Sequence, residues 1–416
     1  MDTGGNVLTD VLETPKPLRL LGRAERDPKP ISVAIVHDYL TQRGGAERVV
    51  LLLAEAFPSA SIHTSLYDPE GTFPEFSTLD VQTTPLNRFG VLRRRHRLAF
   101  PVLAPSFSAL NVDADVLLCS SSGWAHGTRT EGRKVVYCHA PARWLYQSDR
   151  YIGKPPQHAG PQSSGSTLRG HADALRRSAR AAALHLVKPP LRRWDQYAAS
   201  SADRYLTNST VMAEAIRTTY GLEAEVLPPP PTLTSNGQER EVSGLDPGYF
   251  LCIARLLPYK NVQVVAEAVG LVPGARLVIV GDGPARSDIE TMAGPNVRFL
   301  GQVNDAALRW LYRNSLALVS ASFEDYGLTP LEAACFGRPS VVLRSGGFLD
   351  TVVDGLTGAF FDTPAVEHVA WAMKTAATQT WDEGELQAHA EKFSDASFKR
   401  RIRQVIAEEV ALGLTP

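Results

Sequence analysis

The chain has few cysteines, no long apolar segment and no excess of charge of either sign, and each absence excludes a class of protein. Its 416 residues include four cysteines at unpaired spacings, typical of reduced core thiols and not of disulfides or a metal site. No apolar run reaches the roughly 18 residues that span a bilayer. The 43 basic and 44 acidic side chains almost cancel, which argues against a nucleic-acid-binding face. We therefore expect a cytoplasmic protein that needs no metal, holds no permanent cofactor and binds no nucleic acid.

The chain is long for a single hydrophobic core and predicts two domains. A proline-rich stretch, Leu227-Pro-Pro-Pro-Pro-Thr232, and the polar residues after it are typical of an interdomain linker. The first 30 residues are polar and predict a flexible tail, not a signal peptide. The expected divisions are the tail at 1–30, a first domain at 31–230, a linker at 231–245, a second domain at 246–392 and a final amphipathic segment at 393–416.

Apolar strand-like runs alternate with helical patterns in both halves of the chain. In the first half, strands are predicted at 31–36, 61–67, 79–84, 115–120, 133–138 and 205–208, with helices at 44–56, 172–186, 191–200 and 209–220. In the second half, strands are predicted at 249–254, 276–280, 297–300, 316–320 and 339–343, with helices at 261–271, 286–292 and 393–412. The segment 153–170 is rich in glycine and proline and predicts a mobile loop. Two such βαβ arrays predict an α/β protein with two Rossmann-like domains facing a cleft.

Two glutamates eight positions apart, Glu324 and Glu332, are the most informative feature. They follow the predicted strand 316–320, and ligands of open α/β sheets bind at such strand ends. A carboxylate can accept two hydrogen bonds from neighbouring hydroxyls, so the pair could hold two diols of one ligand. The alternative is structural: Thr329-Pro-Leu-Glu332 also fits a helix capping box, with Thr329 as the N-cap, and Glu324 could be an ordinary loop acid.

Two further motifs suggest anion binding at strand ends. Gly44 and Gly45 precede a predicted helix, whose free N–H groups can bind an anion; a simple tight turn is the alternative. Arg255 and Lys260 follow the first strand of the second half and could clamp two phosphates, although such a pair is often only solvated.

A histidine and a glycine turn also lie at strand ends. His139 follows the strand 133–138 beside a proline, where either a site residue or a structural histidine is expected. The turn Gly281-Asp-Gly283-Pro-Ala-Arg286 follows the strand 276–280, but Arg286 stands where a dinucleotide fingerprint requires a small residue. This departure disfavours a nicotinamide-dependent oxidoreductase, which is one competing hypothesis.

The stretch from Val319 to Gly337 resembles the acid-x7-acid signature of the retaining glycosyltransferases of family 4, which have the GT-B fold. The resemblance extends over roughly 31–362 through several separate motifs. It implies two Rossmann-like domains around a central cleft, a final helix that crosses back to the first domain, and transfer of a hexose from a nucleotide-sugar donor. The family's favoured account of the reaction is attack on the same face of the sugar, with the leaving phosphate taking the proton of the acceptor.

The same resemblance implies roles for individual residues. Glu324 would hold hydroxyls of the transferred sugar, Glu332 the ribose diol, and His139 would orient the sugar or its phosphate. Arg255 and Lys260 would stabilise the charge growing on the leaving diphosphate. The catalytic residues implied are therefore His139, Glu324, Arg255 and Lys260, and the substrate-binding residues are Gly44, Gly45, Gly281, Gly283, Leu300, Gly327, Leu328, Thr329 and Glu332.

The motif Tyr137-Cys-His-Ala-Pro-Ala-Arg-Trp144 is similar to that of bacterial mannosyltransferases of polysaccharide assembly. It implies GDP-mannose as the donor and a glycan or lipid-linked acceptor, although Ala140 and Ala142 replace the expected Thr and Met. Asp350 stands where the family usually has Glu, which predicts altered sugar or phosphate contacts. A UDP-sugar-dependent enzyme of the same fold and an inactive protein that binds sugar nucleotides remain alternatives.

A basic, amphipathic segment lies at 87–107. It contains Arg93-Arg-Arg-His-Arg97 followed by the apolar run 98–103, and 175–193 has a similar character. Arginines beside exposed apolar residues can dock on an anionic membrane, and a solvated helix over the core is the alternative. Peripheral contact with the inner face of the plasma membrane is therefore an additional expectation.

Overall fold

Two parallel sheets organise the chain, each wound with helices on both faces. The computed structural model describes residues 31–146 and 187–413, and those from Ser32 onward form one compact unit. The predicted tail at 1–30, the loop at 153–170 and the helix at 172–186 lie outside the described residues. No helix among the described residues is long and apolar enough to cross a bilayer.

The first sheet has seven strands in the order β3-β2-β1-β4-β5-β6-β7, and the second has six in the order β10-β9-β8-β11-β12-β13. Neighbouring strands pair in parallel throughout both sheets. The predicted α/β fold with two Rossmann-like sheets is thus confirmed. The strands are β1 (Val33–His37), β2 (Ser61–Thr64), β3 (Val81–Thr83), β4 (Val116–Ser121), β5 (Arg133–Cys138), β6 (Arg204–Thr207), β7 (Ala224–Val226), β8 (Tyr249–Ile253), β9 (Leu277–Val280), β10 (Val297–Gly301), β11 (Ser315–Ser320), β12 (Ser340–Leu343) and β13 (Gly358–Phe361).

The helices fill the connections between consecutive parallel strands. Those in the first half are α1 (Gly45–Ala56), α2 (Gly90–Arg94), α3 (Phe100–Ala109), α4 (Arg143–Tyr146), α5 (187–200) and α6 (Thr210–Tyr220). Those in the second half are α7 (Val262–Ala268), α8 (Arg286–Met292), α9 (Asp305–Asn314), α10 (Leu328–Cys335), α11 (Phe348–Thr351), α12 (Val366–Thr378), α13 (Glu383–Glu391) and α14 (Asp395–Gly413).

The central strands are apolar on both faces because each face contributes to a separate core. Along β4, Leu118 packs into one cluster with α1, whereas Leu117 and Cys119 pack into a second cluster with α3. This two-sided burial explains why continuous apolar runs predicted strands here so well. Two short strands, β7 and β13, were not predicted.

The final helix, α14, packs against the first sheet although its chain follows the second. Phe398, Ile402 and Val405 belong to the same buried cluster as α1. At its far end, Glu409 is buried and accepts two hydrogen bonds from Arg133 of β5, at 3.0 Å from Nε and 2.7 Å from Nη2. The two halves of the chain are therefore joined at their periphery as well as through the proline-rich stretch.

Candidate active site

The carboxyl edges of the two sheets face each other across a cleft of about 800 Å³. Its walls come from both halves of the chain and from the proline-rich stretch between them. From the first half come Gly45, Ala46, Arg48, Val49, Leu52, His139, Arg143 and Asn208, and from the connecting stretch Pro229, Pro230 and Thr232. From the second half come Ile253, Ala254, Arg255, Lys260, Val280, Gly281, Asp282, Gln302, Val303, Glu324, Asp325, Tyr326, Gly327, Leu328 and Thr329.

The loop after β8 supplies two cations to the cleft. Lys260 forms an ion pair with Oε1 of Glu324. Arg255 is exposed, and no acidic side chain among the described residues pairs with it. The loop is held by Asn261, which adopts a left-handed conformation with φ of 52° and donates from Nδ2 to the carbonyl oxygen of Ala321 at 2.9 Å. An exposed guanidinium that lines the cleft and pairs with no acid in the described ranges is well suited to bind an anionic ligand.

Glu324 is positioned from both sides of its loop. Ser322 donates from Oγ to Oε1 of Glu324 at 2.6 Å, and the N–H of Gly347 donates to the backbone oxygen of Glu324 at 2.8 Å. A side chain at Gly347 would collide with the backbone of Tyr326, so glycine is needed for this close approach. The carboxylate is therefore preorganised at the cleft in the absence of any ligand.

Glu332 does not serve the capping box that the sequence suggested. The helix α10 begins one residue before Thr329, with Gly327 as its N-cap at φ of 84° and no side-chain cap. Thr329 is thus inside the helix, and the capping interpretation is wrong because the positive φ of Gly327 starts the helix earlier. Glu332 lies behind the cleft wall, 8% exposed, and accepts a hydrogen bond of 2.8 Å from the hydroxyl of Tyr312.

Burial raises the pKa of Glu332 to about 7, although the Tyr312 hydroxyl and the backbone N–H groups of Leu233 and Thr232 favour its ionised form. The proline-rich stretch between the two halves therefore lines the cleft and also contacts Glu332. The assignment of Glu332 to a ribose diol stays a prediction.

The first half of the chain contributes the start of α1. Gly44 is the N-cap in an extended conformation, and a Cβ there would lie 2.6 Å from Oε2 of Glu47. A Cβ on Gly45 would meet no atom within 4 Å. Gly45 therefore lines open space at a helix N-terminus, while a side chain at Gly44 would displace the carboxylate of Glu47.

The turn after β9 requires glycine at two positions. Gly281 lines the cleft with φ of 124°, and a side chain there would collide with the backbone of Ala254. Gly283 lies outside the cleft lining, and a side chain there would collide with the backbone of Leu256. Leu300 is partly buried and packs on the cluster beneath the sheet. The residues that line the cleft after β10 are its neighbours Gln302 and Val303.

His139 lies where β5 ends, with Nε2 at 2.8 Å from Oγ of Ser120. Burial lowers the pKa of His139 to about 3, and His37 and Arg143 act in the same direction. The ring is therefore neutral at physiological pH. It is better suited to hydrogen bonding with a sugar hydroxyl than to neutralising a phosphate.

Contacts cross the cleft directly beside Glu324. Ser209, the N-cap of α6, donates to the backbone oxygen of Asp325 at 2.5 Å, and Arg143 forms an ion pair with the Asp325 carboxylate. Asp350 accepts hydrogen bonds from the backbone N and Oγ1 of Thr210, both at 2.8 Å. Asp350 therefore joins the two halves of the chain and is not among the residues that line the cleft. In this structure its carboxylate contacts Thr210, and the altered ligand contacts expected from this departure stay a prediction.

Comparison with known proteins decides the family. A model described as Glycosyltransferase Family 4 matches residues 43–230, and one described as Glycosyl transferases group 1 matches residues 236–406. The chain is a family 4 glycosyltransferase of the GT-B fold. The alpha-1,3/1,6-mannosyltransferase ALG2 of Dictyostelium discoideum is 24% identical over 83% of this chain and 89% of its own length.

Two further relatives show how far the similarity extends. Glycogen synthase of Thermus thermophilus is 34% identical over 42% of this glycosyltransferase and 41% of its own length, so the chain spans less than half of that enzyme. The crystal structure of Anabaena Alr3699/HepE in complex with UDP superposes with a TM-score of 0.60 at 16% identity, covering 91% of this chain and all of that one. At that identity the likeness supports the fold alone.

Most residues predicted for the glycosyltransferase site line the cleft, and a few lie behind it. The cleft brings together His139, Arg255, Lys260, Glu324, Gly45, Gly281, Gly327, Leu328 and Thr329. Gly44, Gly283, Leu300 and Glu332 lie outside its lining. Sequence reasoning missed Arg143 and Asp325, which pair across the cleft. Arg143 could have been noticed as a cation four residues after the strand-end histidine.

The raised pKa of Glu332 predicts a pH-dependent stability. A carboxyl whose folded pKa exceeds its unfolded value stabilises the protein below about pH 4.5, and this contribution is lost as pH rises through about 7. The free energy of unfolding of the wild type, minus that of Glu332→Gln, should fall by roughly 2–3 kcal/mol between pH 5 and pH 8. Urea denaturation of both proteins at each pH measures this difference. A difference independent of pH would show that Glu332 titrates as an ordinary acid.

Proposed function

We propose that this glycosyltransferase is a retaining hexosyltransferase that transfers mannose from GDP-mannose to a glycan or lipid-linked acceptor in cell-envelope or extracellular polysaccharide synthesis. The observation that carries the proposal is the convergence of three anion-binding elements on one cleft. Arg255 and Lys260 come from the second half, and the open N-terminus of α1 at Gly45 comes from the first. A nucleoside diphosphate is the ligand whose charge matches this arrangement.

Stabilisation of the leaving diphosphate needs charge at fixed positions more than a proton donor. Two cations and a helix N-terminus can supply it by electrostatics alone. Lys260 forms an ion pair with Glu324, so a bound diphosphate would share this lysine, whereas Arg255 pairs with no acid in the described ranges. Within 31–146 and 187–413, no group of acids, histidines or cysteines is arranged to hold a metal ion.

The transferred sugar would lie between Glu324 and His139. The carboxylate of Glu324 can accept hydrogen bonds from sugar hydroxyls, and the neutral His139 approaches from the opposite wall. Retention rests on the family's same-face mechanism.

The choice of mannose and GDP rests on motif similarity and on a distant relative. ALG2 is named as a mannosyltransferase, and the motif around His139 resembles that of bacterial mannosyltransferases. HepE is a counter-example of the same fold, because it was crystallised with UDP. A UDP-sugar donor is therefore the outcome that a binding experiment must discriminate.

Calorimetric titration with GDP, UDP, ADP and NAD tests the donor class. We expect GDP and GDP-mannose to bind most tightly. Because a Cβ at Gly45 would fill only open space, Gly45→Ala should leave the melting temperature unchanged but weaken GDP binding by about tenfold or more, by intruding on the diphosphate. Gly270→Ala is the matched control, since a Cβ there also meets no atom within 4 Å and this residue is not part of the cleft lining.

If only UDP and UDP-sugars bind, the assignment as a glycosyltransferase stands and the proposal of GDP-mannose as the donor is wrong. Equal GDP affinity of Gly45→Ala and Gly270→Ala would contradict the location of the diphosphate. Slow hydrolysis of the donor without acceptor would exclude the alternative of an inactive binding protein.

Removal of the Glu324 carboxylate should impair turnover. Because a charged hydrogen bond to the sugar would be lost, Glu324→Ala should raise the activation free energy by more than about 2 kcal/mol. Steady-state rates of transfer or of donor hydrolysis give this quantity, with the exposed Glu290→Ala on α8 as the control. Full activity in Glu324→Ala would remove the assignment.

We further propose that the segment 87–107 contacts an anionic membrane, where a lipid-linked acceptor would be found. It folds into short helical turns and the helices α2 and α3, whose inner residues, including Leu103 and Phe107, pack on the core. Its outer surface combines apolar side chains with arginines and contains no acid between Asp80 and Asp113. The exposed apolar residues are Phe89, Val91, Leu98 and Val102, and the exposed arginines are Arg88, Arg94, Arg95 and Arg97.

This segment is also connected to the cleft. The ring of His96 stacks on Tyr39 with 4.4 Å between centroids, and Nδ1 of His96 lies 3.1 Å from Oγ1 of Thr41. Both partners belong to the loop that leads from β1 to Gly45. An acceptor headgroup held at this surface would therefore lie near the donor end of the cleft.

Vesicle co-sedimentation tests the membrane contact. The protein should bind vesicles that contain phosphatidylserine and should bind vesicles of pure phosphatidylcholine only weakly. Its affinity for the phosphatidylserine vesicles should fall as the salt concentration is raised. Phe89→Ser combined with Leu98→Ser should weaken binding by about tenfold or more, because two exposed apolar side chains no longer enter the interface. Trp371→Ser is the control, since Trp371 is 65% exposed on α12 of the other half. Equal binding to both lipids, or equal effects of both variants, would contradict this surface.

A further inference from the structure

A network of buried polar side chains in the first sheet ends at His139. His37 ends β1, Ser120 is in β4, and His139 follows β5, so the three lie on neighbouring strands. Parallel pairing places His37 directly opposite Ser120. Glu47, in the first turn of α1, lies behind His37 and is itself buried. Such groups are costly to bury unless each has a partner, so the contacts within this network decide how each side chain is held.

The distances between the side chains of this network show which atoms interact. Nδ1 of His37 lies 3.0 Å from the backbone oxygen of Ser120 and 3.1 Å from its Oγ. Oγ of Ser120 lies 2.8 Å from Nε2 of His139. On the other side of His37, Nε2 faces Oε1 of Glu47 at 3.9 Å, an ion-pair distance that is too long for a hydrogen bond.

Hydrogen-bond chemistry then determines where the protons are. A backbone oxygen can only accept, so Nδ1 of His37 must carry a proton. That N–H also points at Oγ of Ser120, which leaves the hydroxyl proton of Ser120 to be donated to Nε2 of His139. Because Nε2 accepts, a neutral His139 must carry its proton on Nδ1.

We propose that Glu47, His37 and Ser120 are positioning residues that hold His139 in the tautomer protonated on Nδ1, so that the ring donates a hydrogen bond into the cleft to an oxygen of the sugar. This inference rests on the proposed function only for the identity of that oxygen. Nδ1 has no hydrogen-bond partner among the described residues, and His139 is one of the residues that line the cleft. The tautomer with the proton on Nε2 would offer the sugar an acceptor in place of a donor.

Electrostatics on both sides of the serine supports the arrangement. Burial acts to lower the pKa of His37, but Glu47, Asp38 and the backbone oxygen of Ser120 act in the opposite direction, and the pKa is raised overall. The pKa of His139 is lowered to about 3, first by burial and then by His37 and Arg143. His139 is therefore neutral, and the hydroxyl of Ser120 determines which of its two ring nitrogens carries the proton.

A second serine–histidine pair in the same strand provides an internal comparison. Oγ of Ser121 lies 2.8 Å from Nδ1 of His126, whose Nε2 faces Asp195 at 3.1 Å. All three residues are buried, and none lines the cleft. This network joins β4 to α5. Ser121→Ala therefore removes a buried hydroxyl that is hydrogen-bonded to His126 and not to His139, and it leaves in place the backbone oxygen of Ser121, which accepts from the N–H of His139 at 2.9 Å.

The test is nitrogen NMR of the full-length protein labelled with ¹⁵N-histidine, without ligand, using His139→Gln to assign the signals. His139 should show a protonated Nδ1 and an unprotonated Nε2. Ser120→Ala should give a mixture of tautomers, and Ser121→Ala should leave His139 unchanged. In transfer or donor-hydrolysis assays, Ser120→Ala should lower kcat by about 3–10-fold, with a smaller change in the KM for the donor.

A wild-type His139 protonated on Nε2, or present as a mixture, would overturn the inference without any variant being needed. An unchanged tautomer in a folded Ser120→Ala would also overturn it. If Ser120→Ala fails to fold, Ser120→Thr keeps the hydroxyl and should retain the wild-type tautomer. Failure of the proposed donor would appear in the nucleotide titrations and would not affect these spectra, so the two failures are distinguishable.

Discussion

The parallel pairing of every neighbouring strand is the constraint on which the rest of this structure depends. Parallel strands present their carboxyl ends at one edge of a sheet, so residues far apart in sequence are brought together there. In the first sheet this edge carries His139 and the start of α1, and in the second it carries Arg255 and Glu324. The contacts at Asp325 and Asp350 then set one edge against the other. The cleft exists because two such edges are joined by short hydrogen bonds as well as by a tether.

The site is electrostatically balanced before any ligand binds. Lys260 is paired with Glu324 and Arg143 with Asp325, whereas Arg255 has no acidic partner among the described residues. Arg48, which also lines the cleft, lies 3.8 Å from Glu75. An anionic ligand would therefore share three of these four cations with acids of the protein, and this pairing keeps a large uncompensated positive charge from building up in the cleft.

Polar groups buried behind the cleft determine the properties of those at its surface. Glu332 contacts the connecting stretch and Tyr312, and its pKa is raised because its surroundings are apolar. His139 lines the cleft, and its hydrogen-bond partner Ser120 and the neighbouring His37 are both buried. Both cases illustrate that a titratable side chain acquires its protonation state from neighbours that a motif does not include.

The two-sheet architecture and most of the residues that line the cleft can be predicted from the amino-acid sequence. Two-sided burial leaves continuous apolar runs, and a strand followed by glycine or charge marks an edge residue such as Gly45, Lys260 or Glu324. The sequence does not show where the helix α10 begins, because the capping pattern at Thr329 and the positive φ of Gly327 give different first residues and only packing selects between them. It also does not show that Glu332 lies behind the cleft wall or that Asp350 contacts Thr210. Those outcomes depend on distances between segments remote in the chain, and only the tertiary structure decides them.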